Sequence, residues 1–349
     1  MFDQLIGNQR VKDALRRMIE GGRVPGAMIF AGADGVGKKL FAIEIARTFN
    51  CRARVGVESC HKCPSCMRTG RFTLPALDDT EGNKQILWSE HRDVGLIRPA
   101  GRFITVPQVR ELERETNFRP FEGAARFFLI DEADKLNEAS SNALLKTLEE
   151  VPPTSHLILI TPRPASLLST IRSRCQMIRF APLTAAEIEN HLINQHQRAG
   201  AEARLTAQLA HGSLGYALSL NIDTYRAQRD AMLDVIEALT PSVDRARLLR
   251  AAEDLSDAKR KDEYEPRLGV FQTLIHDIWL LTLKIPETKI INEDLRDRLT
   301  RLSAGLESRH AANWLSLIDE LRRQLAVNIN RRVATDALLL SMAAGAGER

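Results

Sequence analysis

Gly32-Ala33-Asp34-Gly35-Val36-Gly37-Lys38 lies between a short apolar run and a stretch with helical spacing. That setting turns a glycine and lysine pattern into a phosphate-binding loop. The glycines Gly32, Gly35 and Gly37 let backbone N–H groups converge on phosphate oxygens, the following helix N-terminus adds a favourable dipole, and Lys38 reaches the β and γ oxygens. The next residue is ordinarily Ser or Thr, whose hydroxyl ligates Mg²⁺. Here it is Lys39. An ammonium offers the metal no oxygen and repels it, so ATP or ADP is expected to bind weakly or without Mg²⁺, and hydrolysis to be poor. Downstream, the apolar run Phe127-Phe128-Leu129-Ile130 ends in Asp131-Glu132, a strand that presents one carboxylate to hold a metal and a second to orient water.

Cys51, Cys60, Cys63 and Cys66 form a second constellation, eight residues between the first two and then two C-x-x-C steps sharing Cys63. Four thiolates suit a tetrahedral structural Zn²⁺ and leave no open position for catalysis. His61 is a candidate substitute ligand, and an iron–sulfur cluster would use similar donors. The N-terminus carries no signal-peptide pattern, and no run approaches the roughly 20 apolar residues of a membrane span. A cytoplasmic location without membrane contact is therefore expected, with thiols rather than disulfides.

These groups need a scaffold. At 349 residues, with 44% hydrophobic and 27% charged residues, the chain is expected to fold as two or three globular domains. A net charge of +4 compels no global nucleic-acid reading, so any DNA contact must be local. Short apolar runs alternating with helical stretches from Ala27 to about Phe180 imply an α/β domain with a parallel sheet. Its expected strands are Ala27–Ala31, Phe127–Asp131, His156–Thr161 and Met177–Phe180, with helices over Lys38–Phe49 and Ala139–Glu150. Beyond Ala181-Pro182-Leu183 only helical spacing remains. Leu315, Ile318, Leu321 and Leu325 fall on one expected face. Asn330 is an expected N-cap for a last helix that packs through Val333, Ala337, Leu338 and Leu340.

The phosphate loop, the cysteine spacing, Asp131-Glu132-Ala133-Asp134, Asn142 to Glu150 and Ser173-Arg174-Cys175 follow in one order that resembles bacterial DNA polymerase III clamp-loader subunits of the AAA+ class. The resemblance runs from Phe2-Asp3-Gln4-Leu5-Ile6-Gly7-Asn8-Gln9 to Gly212-Ser213-Leu214-Gly215 and is weaker beyond, where Asn328-Ile329-Asn330 is similar to the family's last helices. It implies a nucleotide-binding-type domain over 1–181 with a zinc module at 51–66, a helical lid over 182–223 and an all-α collar over 224–349. The tau/gamma branch, an active ATPase and the alternative reading, carries Ser or Thr after the loop lysine and a sensor arginine where this chain has Gly215. Both departures, with His91-Arg92-Asp93 and Val106 to Leu112, resemble the delta-prime branch. The resemblance then implies that Arg174 reaches a neighbouring subunit's γ-phosphate as an arginine finger, that Thr161 stands at the first sensor position, and that Cys175 packs inside. It also implies tau/gamma and delta subunits as partners in a hetero-pentamer, a sliding clamp, and primer–template DNA bound by the complex. A zinc-dependent DNA-binding module without ATP-site function is a third reading, disfavoured by the modest charge.

Overall fold

The computed structural model describes residues 2–76, 79, 81–240, 243–285, 290–325 and 330–346. The chain divides into two compact units, Met1–Ser219 and Leu220–Arg349.

In the first unit, α1 (Gln9–Glu20) precedes β1 (Ala27–Ala31), α2 (Lys38–Asn50) and the short α3 (Pro64–Arg68). Then follow β2 (Leu87–Trp88), β3 (Val94–Ile97), α4 (Val106–Thr116), β4 (Arg126–Ile130), α5 (Glu138–Glu149), β5 (Ser155–Thr161), α6 (Ser169–Arg174) and β6 (Gln176–Arg179). The sheet order is β2-β3-β4-β5-β1-β6, parallel throughout except for the β2/β3 pair.

Strands covered on both faces read as unbroken apolar runs, and β1, β4 and β5 are buried along their whole lengths. Successive side chains serve opposite faces. Met28, Phe30, Phe127, Leu129, Ile158 and Ile160 pack with Leu15 of α1 and Phe41 of α2. Ile29, Phe128, Ile130, Leu157 and Leu159 pack with Leu112 of α4, Leu144 of α5 and Ile171 of α6. The four expected strands are present, their bounds shifted by no more than a residue. β2 and β3 were not expected: one is two residues long, and the other holds Gly95, which weakens a strand signal. Gly95 is needed there, since a Cβ would fall 2.7 Å from Ile86 Cγ2.

One strand residue carries a pH prediction. His156 is buried, stacks on Phe127 at 4.8 Å between ring centroids, and donates from Nδ1 to the Pro25 carbonyl at 3.0 Å. Burial pushes its pKa below the ordinary value, opposed by the Pro25 contact. Unfolding restores a pKa of about 6.5, so the unfolded chain binds more protons below that value and the stabilisation, complete above pH about 6.5, is lost as pH falls toward the folded pKa. The urea midpoint should decline between pH 6.5 and 5, and His156→Gln should flatten that decline.

After β6 come α7 (Ala185–His196), α8 (Gly200–Leu209) and α9 (Leu214–Ser219). Thr184 and Glu187 cap α7 reciprocally, the capping-box arrangement that satisfies two orphan N–H groups. Leu183, Ile188, Leu192, Ala203, Ala207, Ala210 and Ala217 form a small core among these helices.

The second unit is helical: α10 (Ile222–Leu239), α11 (Arg245–Leu255), α12 (Tyr264–Thr282), α13 (Arg296–Ser303), α14 (Ser308–Leu325) and α15 (Arg331–Ala346). The buried line of α14 is Ala311, Trp314, Ile318 and Leu321, with Leu315 and Leu325 half-buried at its edge. Trp314 Nε1 donates to the Met342 carbonyl at 3.1 Å. Asn330 Oδ1 accepts from the N–H groups of Arg332 and Val333 and caps α15, whereas Asn328 and Ile329 lie outside the described residues. The packing face of α15 differs from expectation. Leu338, Leu339 and Met342 are buried, while Val333, Ala337 and Leu340 are exposed. Apolar residues surround this helix, and spacing alone does not choose between two overlapping stripes.

Candidate functional site

β1, β4 and β5 are neighbours in the sheet and end at the same edge, bringing together residues far apart in the chain. The loop after β1 turns through Gly35 at φ 73° and Gly37 at φ 97°, left-handed values that favour glycine, and Gly37 is the residue from which α2 starts. Gly32 lies against Phe180, where a Cβ would fall 2.6 Å from the carbonyl oxygen. Lys38 is buried and its Nζ donates to the loop's own carbonyls, Gly32 at 2.5 Å and Ala33 at 2.7 Å. Burial pushes its pKa down against the pull of Asp34.

Lys39 Nζ lies 2.5 Å from Asp131 Oδ2. The carboxylate available for a metal is thus already matched by a cation fixed to the chain. Glu132, beside it, is exposed and left-handed at φ 48°. Thr161, fully buried at the end of β5, donates from Oγ1 to Asp134 at 3.0 Å, and Asp134 also accepts from Arg163 Nη2 at 2.6 Å. Although burial pushes the Asp134 carboxyl up, Arg163 and Thr161 hold it below the ordinary range. The sequence placed Thr161 without revealing this partner, because the contact depends on β4 and β5 being adjacent. A cavity of about 400 Å³ opens here, lined by Asp34, Glu132, Asp134, Lys135, Pro162 and Arg163.

The start of α9 packs against the loop. Gly215 N–H donates to the Gly35 carbonyl at 3.0 Å. A Cβ on Gly215 would sit 2.9 Å from Gly35 Cα, and one on Gly35 would collide with Ser213 Oγ. Real side chains do not tolerate such approaches, so this arrangement has no room for an arginine at 215. Asn8 exchanges two hydrogen bonds with the backbone of Ala181, at 3.1 and 2.8 Å, tying the N-terminal segment to the residues that lead into α7.

Arg174 ends α6 on the surface. Its Nε and Nη2 reach Glu149 Oε1 at 3.1 and 2.6 Å, and Nη1 donates to the Thr170 carbonyl at 3.1 Å. Cys175 is turned into the sheet core, where burial pushes its thiol up to about 12.

The four clustered cysteines meet between α2 and α3. All four sulfurs lie within 4.8 Å of one another, and Cys60 and Cys66 are 3.9 Å apart. A tetrahedron with metal–sulfur bonds of about 2.3 Å needs sulfurs about 3.8 Å apart. Backbone N–H groups point at sulfur: Cys60 to Cys51 at 3.3 Å, Cys63 to Cys60 at 3.3 Å, and Cys66 to Cys63 at 3.5 Å. Against desolvation, the N–H groups of Cys66 and Arg52 help hold the Cys63 thiol below the ordinary thiol value. This donor set can hold a tetrahedral metal ion. His61 is no part of it; its Nε2 lies 2.9 Å from Glu44 Oε1. Glu44 also accepts from Ser59 and Arg47, and Arg47 donates to the Cys66 and Thr69 carbonyls, so the cluster is anchored on α2.

A phosphate loop after the first strand of a parallel sheet, paired carboxylates after β4 and the start of α9 packed on the loop define a P-loop fold of the AAA+ class. Among known families, "DNA polymerase III, delta subunit" matches residues 7–184, and "DNA polymerase III, delta subunit, C terminal" matches 227–343. The chain belongs to the DNA polymerase III delta-subunit family, on its delta-prime, clamp-loader branch. It is 28% identical to the Bacillus subtilis DNA polymerase III subunit delta' over 338 residues, covering 96% of both chains. It is 30% identical to the Escherichia coli subunit tau over 267 residues, which span 74% of this chain and only 38% of that relative. A gamma-subunit-related protein of Thermotoga maritima, solved by crystallography, aligns over 96% of this chain and 99% of its own at 14% identity, with a TM-score of 0.39.

Proposed function

We propose that this chain is the subunit of a DNA polymerase III clamp loader that turns over little or no ATP itself and supplies Arg174 to the ATP site of a tau/gamma-type neighbour. Its partners in this reading are tau/gamma and delta subunits in a hetero-pentamer, acting in the cytoplasm on a sliding clamp and primer–template DNA. Zn²⁺ in the four-cysteine cluster is a structural staple.

The observation that carries the reading is the ion pair of Lys39 with Asp131. In an active P-loop site the corresponding hydroxyl and carboxylate hold Mg²⁺ between them. Here the ammonium occupies the carboxylate, so Mg²⁺ must displace it and then find no oxygen on residue 39. The contact between Gly35 and Gly215 adds a second obstacle, since a nucleotide must first lift the lid segment from the loop. Residual binding of ATP or ADP should be weak and nearly indifferent to Mg²⁺.

Titration of the isolated chain with a fluorescent ATP analogue, with and without Mg²⁺, tests this. Wild type should show little binding and no Mg²⁺ dependence. Lys39→Thr frees Asp131 and supplies a hydroxyl, so binding should become Mg²⁺-dependent while turnover stays slow. Robust Mg²⁺-dependent hydrolysis by the wild-type chain would overturn the proposal.

A further inference from the structure

We infer that Glu149 is a positioning residue for Arg174, fixing the guanidinium so that its unused donors face outward to a neighbour's phosphate. This inference rests on the reading of Arg174 as an arginine finger.

Three observations point to it. First, the contacts are directional. Nε and Nη2 both donate to Glu149 Oε1, and Nη1 donates to the Thr170 carbonyl one turn back in α6. A guanidinium has five N–H bonds in a rigid plane, so three are engaged on its own chain and two remain without a partner among the described residues. One edge of the plane is anchored and the remainder is available, which suits a group that must offer a fixed fork to an anion.

Second, Glu149 stands where an acid is electrostatically misplaced. It is the last residue of α5, and Glu150 follows it. Helix C-termini carry partial negative charge and favour cations. Neither burial nor capping accounts for the carboxylate, whose side chain is 52% exposed. Among the described residues, Arg174 is its ion-pair partner.

Third, the two residues come from different elements that pack on one sheet face. Leu144 and Leu148 of α5 and Ile171 of α6 share a core cluster. The pair is therefore held at both ends by buried anchors, and the arginine's long side chain loses freedom before any neighbour arrives. Preorganisation of this kind lowers the ordering cost of a contact made only in the assembled state.

The test uses the reassembled loader carrying wild-type chain, Glu149→Ala, Glu149→Gln or Arg174→Ala, with kcat and KM for DNA-stimulated ATP hydrolysis as the readout. Glu149→Ala should lower kcat at the site beside this chain by about three- to fivefold, the scale of one half-exposed ion pair, with KM for ATP changed less than about twofold. Glu149→Gln should recover most of the rate, because its amide oxygen still accepts from Nε and Nη2, a rescue that loss of folding could not produce. A Glu149→Ala rate equal to wild type would overturn the inference, and a faster one would make the contact a restraint. Should Arg174→Ala itself leave hydrolysis unchanged, the finger reading fails; slow Arg174→Ala beside unaffected Glu149→Ala removes the positioning role alone.

Discussion

Replacing Arg174 by alanine in a reassembled loader should leave assembly intact and slow ATP hydrolysis at the adjoining subunit by about 10³-fold, the lower range for arginine fingers supplied in trans. The physical reason is local. Negative charge spreads over the transferred phosphoryl's oxygens in the transition state, and a planar cation with two N–H bonds left without a partner among the described residues would offset it there more than in the ground state. The folded chain should hardly notice the change, because Arg174 is partly exposed and its ion pair with Glu149 lies at the surface; such pairs contribute at most about 1 kcal/mol. Arg174→Lys should fall between, keeping charge while losing the fork. Single-turnover hydrolysis in loaders with one competent ATP site, next to this chain, is the measurement. Other sites would otherwise mask the loss.

The second large effect concerns the four-cysteine cluster. Cys63→Ala should abolish stoichiometric zinc in the purified chain and lower the melting temperature of the first unit by about 5–10 °C, since metal-binding free energy at a structural site is folding free energy. The damage should spread along named contacts. Ser65 Oγ donates to the Asn50 carbonyl, and Asn50 Oδ1 accepts from Ala124 and Ala125 at the start of β4. Loosening 51–66 therefore frees the end of α2 and the approach to a central strand. Metal analysis with a melting curve, before and after chelation, checks this. An unchanged melt in the metal-free chain would mean that the thiols are not a staple.

Much of this architecture was legible because it rests on local signals. The central strands announce themselves as apolar runs, α2 follows a glycine loop, and Pro152-Pro153 marks the end of α5. The sulfur cluster was legible from spacing alone, and its sulfurs do converge. What escaped were relations between distant residues. Lys39 reads as a missing hydroxyl, but its seat on Asp131 joins positions 92 residues apart (131 − 39) and depends on β1 and β4 ending at the same sheet edge. Gly215 reads as a missing arginine, whereas its contact with Gly35 makes it a close approach of two backbones. Thr161 could be placed but not its bond to Asp134. Glu149 lay in plain view within a helix-ending motif, and only the packing of α6 beside α5 discloses its partner. The rotation of α15 was not legible because apolar residues occur on more than one of its faces.

The most direct test is where Arg174 lies in a structure of the assembled loader bound to a non-hydrolysable ATP analogue. The guanidinium should be within about 3 Å of the γ-phosphate held by the neighbouring subunit, with Glu149 still on Nε and Lys39 still on Asp131. Nucleotide and Mg²⁺ seated in this chain's own phosphate loop, with Arg174 turned away from any phosphate, would contradict the account.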